Sequence, residues 1–121
     1  MASNLVVDTL TKGAVTLNTD ELVDINNTRV CKAWVNFNGT GTVAIRASYN
    51  VSSITDNGTG WYSVNFSVAL ADNDAAPLFN SGTQRNTIEM DAVTSALAEV
   101  TIKNSAGATT DQSIVTCIVF R

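Results

Sequence analysis

Apolar and polar residues alternate one for one through most of the chain, the period-2 signature of half-buried β-strands. The clearest stretch runs from Trp61 to Leu70. Tyr62, Val64, Phe66, Val68 and Leu70 share one face, and Trp61, Ser63, Asn65, Ser67 and Ala69 share the other. Thr42 to Ile54 alternates too, with Val43, Ile45, Ala47, Tyr49 and Val51 opposite Thr42, Ala44, Arg46, Ser48 and Asn50. Between these runs, Thr55-Asp56-Asn57-Gly58-Thr59-Gly60 carries an Asn-Gly pair. That pair is a hairpin signal, because both residues can take positive φ. Arg29 to Phe37 predicts a further strand, with Cys31, Ala33, Val35 and Phe37 on one face and Val30, Lys32, Trp34 and Asn36 on the other. The turn Asn38-Gly39-Thr40-Gly41 follows it. The three runs are expected to form one meander from Arg29 to Leu70.

The C-terminal half continues the pattern. Thr87 to Val93 alternates weakly, Leu97 to Asn104 places Val100 and Ile102 inward, and Ser105-Ala106-Gly107-Ala108 reads as a turn. Ser113 to Phe120 is rich in β-branched residues and apolar on both faces, which marks a central strand or one packed on a partner chain. Ala71 to Arg85 lacks periodicity, carries Pro77 and Gly82, and is expected to be a long loop. Leu5 to Leu10 and Ala14 to Leu17 are short β pieces around Thr11-Lys12-Gly13. They read as an N-terminal arm that pairs with something else. No convincing helix is present, the one alternative being a short helical turn near Asp91 to Ala98.

Composition agrees with a β fold. The 121 residues include one proline, and Thr, Val, Asn, Ser and Ala dominate; β-branched residues suit pleated surfaces, and Asn, Gly and Ser suit the turns. A chain of this length can bury enough surface to fold without metals or disulfides. Eleven acidic and seven basic residues leave a net charge of −4, with no Lys/Arg cluster. This argues against nucleic-acid binding and against docking on anionic membranes. No apolar stretch reaches transmembrane length, so no membrane insertion is expected. The N-terminus has no signal-peptide pattern, and Asn26, Asn38, Asn50, Asn57 and Asn65 are read as unglycosylated sequons. Cys31 and Cys117 are then expected as reduced, buried thiols.

Candidate chemistry is sparse. There is no histidine, so the commonest general base and metal ligand is missing. Asp72-Asn73-Asp74 begins like a calcium loop, yet has neither the glycine at the sixth position nor the glutamate at the twelfth. A polar turn explains it better. Glu89 and Asp91 alternate on one strand, as acids at a solvated sheet edge do, and no repeat of the kind found in long polysaccharide-cleaving scaffolds accompanies them. The chain is expected to be no enzyme and to take no metal or cofactor.

Cys31 to Phe66 carries a more specific pattern. Cys31-Lys32-Ala33-Trp34-Val35-Asn36-Phe37-Asn38-Gly39-Thr40-Gly41 is followed by Ile45 to Ile54, and then by Asp56-Asn57-Gly58-Thr59-Gly60-Trp61-Tyr62-Ser63-Val64-Asn65-Phe66. This block resembles tail-fibre-like proteins of marine and cyanobacterial tailed phages, and Val6 to Leu10 is similar to the start of such fibres. The resemblance implies a virion component, commonly trimeric, at a tail or fibre tip, made in the host cytoplasm.

The expectation is therefore an all-β protein: an antiparallel β-sandwich of about seven or eight strands over residues 29–121, with an extended N-terminal arm over 1–28. It is expected to be trimeric, with closed symmetry covering strand edges and the second apolar face. The arm would serve trimerisation and attachment to other virion proteins. Receptor-contact candidates are Asn38, Thr40, Asp56, Asn57, Trp61, Asp72 and Asp74, facing a host glycan or protein. Trimer-interface candidates are Leu5, Val7, Leu10 and Trp34, since Trp is enriched at interfaces. The alternative function is a structural accessory of the virion without a receptor: a neck or capsid fibre, a decoration or a tail adaptor.

Overall fold

The computed structural model describes residues 9–18, 30–82 and 85–121. The chain divides into two compact units, Met1–Val30 and Cys31–Arg121. In the first, β1 (Thr9–Lys12) and β2 (Val15–Asn18) form an antiparallel hairpin. The two N-terminal β pieces thus pair with each other. The trimer candidates Leu5 and Val7 lie outside the described residues, and Leu10 sits on β1 opposite Leu17.

The second unit is an all-β, antiparallel sandwich. Its strands are β3 (Cys31–Asn38), β4 (Ala44–Tyr49), β5 (Val51–Gly58), β6 (Trp61–Phe66), β7 (Ala76–Ser81), β8 (Thr87–Val93), β9 (Leu97–Lys103) and β10 (Val115–Phe120). They build two four-stranded sheets, ordered β4-β3-β10-β7 and β5-β6-β9-β8. The hairpins β3–β4, β5–β6 and β8–β9 stay within a sheet, while every other connection crosses between sheets. First and last strands of the unit, β3 and β10, lie side by side.

Alternation places the core between the sheets. Ala33, Val35 and Phe37 of β3 and Val115, Cys117 and Val119 of β10 meet Tyr62, Val64 and Phe66 of β6 and Ala98, Val100 and Ile102 of β9. At the centre, Phe37 and Tyr62 pack edge to face with ring centroids 5.3 Å apart. Cys117 is buried and Cys31 half-buried, and neither is in a disulfide. The ladder puts Cys117 opposite Val35 and Phe120 opposite Cys31, so the thiols do not face each other. Burial, with a smaller contribution from Cys31, pushes the Cys117 thiol up to about 12, leaving it an inert packing group.

Three expectations need correction. The single run Thr42 to Ile54 is two strands in different sheets, so the expected meander is split across the sandwich. The break is Asn50, at φ 52°. Its amide nitrogen donates to the Lys32 and Val68 carbonyls, each at 3.1 Å, and its side-chain oxygen accepts the Val68 N–H at 2.8 Å. Asparagine tolerates the left-handed region because its short side chain can bond locally, as here. The same bonds stop β6 at Phe66 and turn Val68 outward, against its expected inward place. Finally, Ala71 to Arg85 is no continuous loop: β7 lies inside it and pairs with β10 from Ala76 to Ser81. Pro77 is accommodated because β7 is an edge strand with one side unpaired.

Asn50→Ala removes three hydrogen bonds and leaves at positive φ a residue without the local side-chain bonding that suits asparagine to that region, so it should cost about 2–4 kcal/mol. Asn50→Gly keeps the backbone freedom and should cost about 1–2 kcal/mol. Urea denaturation of the two variants against wild type checks the order.

Candidate functional site

The sandwich has two unlike ends and two unlike outer faces. At one end, which we call the loop end, lie the turns 39–43 and 59–60, Gly82, and 104–114. Backbone bonds tie them: Gly39 N–H to Gln112 O at 2.9 Å, Gly82 N–H to Ile114 O at 2.9 Å, and Ile102 N–H to Gly60 O at 2.8 Å. Beneath them the Tyr62 hydroxyl donates to Asp111 Oδ1 at 2.7 Å and lies 2.9 Å from the Gly39 carbonyl. Asp111 Oδ1 also accepts the Gly60 N–H at 2.7 Å. Burial, and then the Asp111 carboxylate, raise the Tyr62 pKa, so the phenol stays a donor. Glycine is required at two of these turns. A β-carbon at Gly39 would meet the Tyr62 hydroxyl at 2.5 Å, and Gly60 has φ 69° with the Ile102 carbonyl 2.6 Å from its β-carbon position.

Five receptor-contact candidates come together here. Asn38 and Thr40 close on each other, with the Thr40 hydroxyl donating to Asn38 Oδ1 at 2.7 Å. Asp56 accepts the Gly58 N–H at 3.1 Å, and Asn57 donates to Ser63 at 2.7 Å. These bonds are the ordinary needs of tight turns. Trp61, first residue of β6, is exposed. It stands opposite Thr101, which stands opposite Glu89.

Trp61 borders the outer face of the β5-β6-β9-β8 sheet, which is polar and internally bonded. The Ser63 hydroxyl donates to Glu99 at 2.9 Å, and the Thr101 hydroxyl donates to Asp91 at 2.6 Å. The Asn65 amide donates to the Thr55 hydroxyl at 2.9 Å, and Lys103 pairs with Glu89 at 2.6 Å. The alternating acids Glu89 and Asp91 are thus held by Lys103 and Thr101. Among the described residues no group of three Cys, Asp or Glu side chains gathers to hold a metal ion.

Asp72 and Asp74 are not part of this cluster. They lie in the β6–β7 connection at the opposite end, where the chain joins the sandwich at Cys31. Asp72 receives both Arg121 Nε and Nη2 and caps the Asp74 N–H at 2.9 Å. The Arg121 bonds, and then the Asp74 N–H, hold its carboxyl down to about 2.

The outer face of the β4-β3-β10-β7 sheet is the reverse of its counterpart. Trp34, the interface candidate on this sheet, is exposed there, and it does not stand alone. Tyr49, Ile118, Leu78 and Phe120 are exposed beside it. The alternation pattern conceals two of these four. The two-faced apolar character of Ser113 to Phe120 is the signal for Ile118 and Phe120. Leu78 falls in the stretch that lacks periodicity, and Tyr49 falls on the side of its run that is expected to face inward.

Compared with known proteins, the chain matches no family model, no curated protein and no solved structure. What the arrangement offers chemically is contact: preorganised donors and acceptors with one exposed indole on one side, and bare apolar surface on the other.

Two outcomes follow. Tyr62→Phe strips a donor from the Asp111 carboxylate and should destabilise the fold by about 1–3 kcal/mol, read by denaturation. The folded Asp72 pKa lies below its ordinary 3.8, so its ion pair stabilises the fold fully above about pH 4 and is lost as pH falls toward 2. Asp72→Asn should flatten the acid-stability profile in that window. The difference should shrink at 0.5 M salt (roughly a 4 Å screening length), because the pair is exposed.

Proposed function

We propose that this chain is a phage virion fibre or fibre-tip subunit that mediates host-surface attachment as a homotrimer. The observation that carries the reading is the polarity of the sandwich. The polypeptide joins it at Cys31, at the end that holds Asp72, whereas the turns bearing Asn38, Thr40, Asp56, Asn57 and Trp61 gather at the opposite end. Such polarity suits a subunit whose sandwich is held at one end and presents the loops of its other end outward. The resemblance of Cys31 to Phe66 to phage tail-fibre-like proteins supports the same reading.

In this reading the partner is a host glycan or protein met by Trp61 and the polar turns, and avidity across three copies makes weak contacts sufficient. No bond is made or broken, and no cofactor takes part. A second reading, a structural accessory of the virion without a receptor, is favoured by one observation. Exposed apolar side chains are concentrated away from the loop end, on a face suited to protein rather than to a hydroxyl-rich surface.

The test is adsorption. Purified protein should bind host cells and block phage attachment, and Trp61→Ala should weaken cell binding about 10-fold or more. Binding to virion components alone would overturn attachment in favour of the accessory role.

A further inference from the structure

The strand registers align the exposed apolar residues into one row. Tyr49 of β4 stands opposite Trp34 of β3, Trp34 opposite Ile118 of β10, and Ile118 opposite Leu78 of β7. The row therefore crosses all four strands of the sheet. Beside it, Phe120 stands opposite Ala76. On its other flank runs a polar row in which Asn36 faces Ala47 and Thr116, and Thr116 faces Asn80. Tyr49 is 58% exposed, Leu78 69%, Phe120 45%, Ile118 40% and Trp34 39%. At the order of 200 Å² for a fully open large apolar side chain, these five leave roughly 500 Å² of contiguous apolar surface. That is at the upper end of what a monomer exposes, and more than half of what one partner contributes to a stable interface.

We infer that this outer face, with strand β4 as a projecting wing, is the surface on which a second copy of the chain docks. The inference rests on the homotrimer proposed above and specifies its interface. The area of the row and the exposure of β4 select a second copy as occupant. Every residue of β4 is exposed, on both faces of the strand, its apolar members Ala44, Ile45, Ala47 and Tyr49 among them. A wing open on both sides fits a head-to-tail contact, in which the wing of one subunit lies on the row of the next, and such contacts close into rings.

The experiment is the mass of the full chain by light scattering and sedimentation, for wild type and for Leu78→Asp, Ile118→Asp and the control Val68→Asp. Circular dichroism verifies folding. Leu78 lies on an edge strand and points outward, so Leu78→Asp keeps the test open should Ile118→Asp fail to fold. Wild type should be a trimer, and the two row variants should raise its dissociation constant at least about 100-fold, giving monomers at micromolar concentration. Val68→Asp, on an equally exposed residue off the face, should remain trimeric. A wild-type trimer that survives both row substitutions overturns this interface and leaves the homotrimer standing. The interface is likewise overturned if deleting residues 1–28 dissociates the trimer while the row variants do not. Dissociation by Val68→Asp to the same degree also overturns it. A monomeric wild type overturns both the interface and the homotrimer, and cell-binding measurements then judge attachment separately.

Discussion

The structure turns on one corner. Between Tyr49 and Val51 the chain leaves one sheet and enters the other, and the turn is held by a single side chain. Asn50 sits in the left-handed region and bonds to the backbone of β3 on one side and of the β6–β7 connection on the other. A sandwich core exists only if both sheets lie over one another in register. By coupling the start of β3 to the end of β6, Asn50 sets that overlap at one end. At the other end Tyr62 and Asp111 do the same work, tying β6 to the turn after β3 and to the segment before β10.

With both ends pinned, the inner faces are satisfied and the outer faces are free to differ. One sheet turns hydroxyls, amides and paired carboxylates outward, and its acids are held by Lys103, Ser63 and Thr101. The other turns out tryptophan, tyrosine, isoleucine and leucine. Internal packing requires neither arrangement, because both lie outside the core. The division places solvent-compatible chemistry next to Trp61 and solvent-averse chemistry on the opposite side. The attachment subunit proposed above, working as an assembly, needs both kinds of surface, kept apart.

Much of the fold is legible along the chain. Period-2 alternation locates β3, β6, β8 and β9, a β-branched run locates β10, and the stretch Asp56 to Gly60 locates the hairpin between β5 and β6, although Asn57-Gly58 ends β5 and the turn itself is Thr59-Gly60. Where the pattern misleads, the cause is physical. Pro77 removes one donor and mimics a loop, but it costs little on an edge strand whose N–H side is unpaired. The run from Thr42 to Ile54 keeps its alternation through Asn50, so nothing in its pattern signals that the chain changes sheets there. Five of the seven proposed contact residues come together at the loop end. Asp72 and Asp74 belong to the other end, because sequence order does not reveal which turns share an end of a sandwich.

What the sequence determined by itself is which side of the core strands β3, β6 and β9 is apolar, since the two faces of an unbroken strand follow from residue parity. Tertiary structure alone decided which of those sides meet. Tyr49, Trp34, Ile118 and Leu78 are scattered over more than half the chain; Trp34 and the two-faced strand of Ile118 stand out in the sequence, whereas Tyr49 and Leu78 look ordinary where they stand. Only the ladder of β4, β3, β10 and β7 sets them side by side, because register is a property of pairs of strands and is written in neither strand alone.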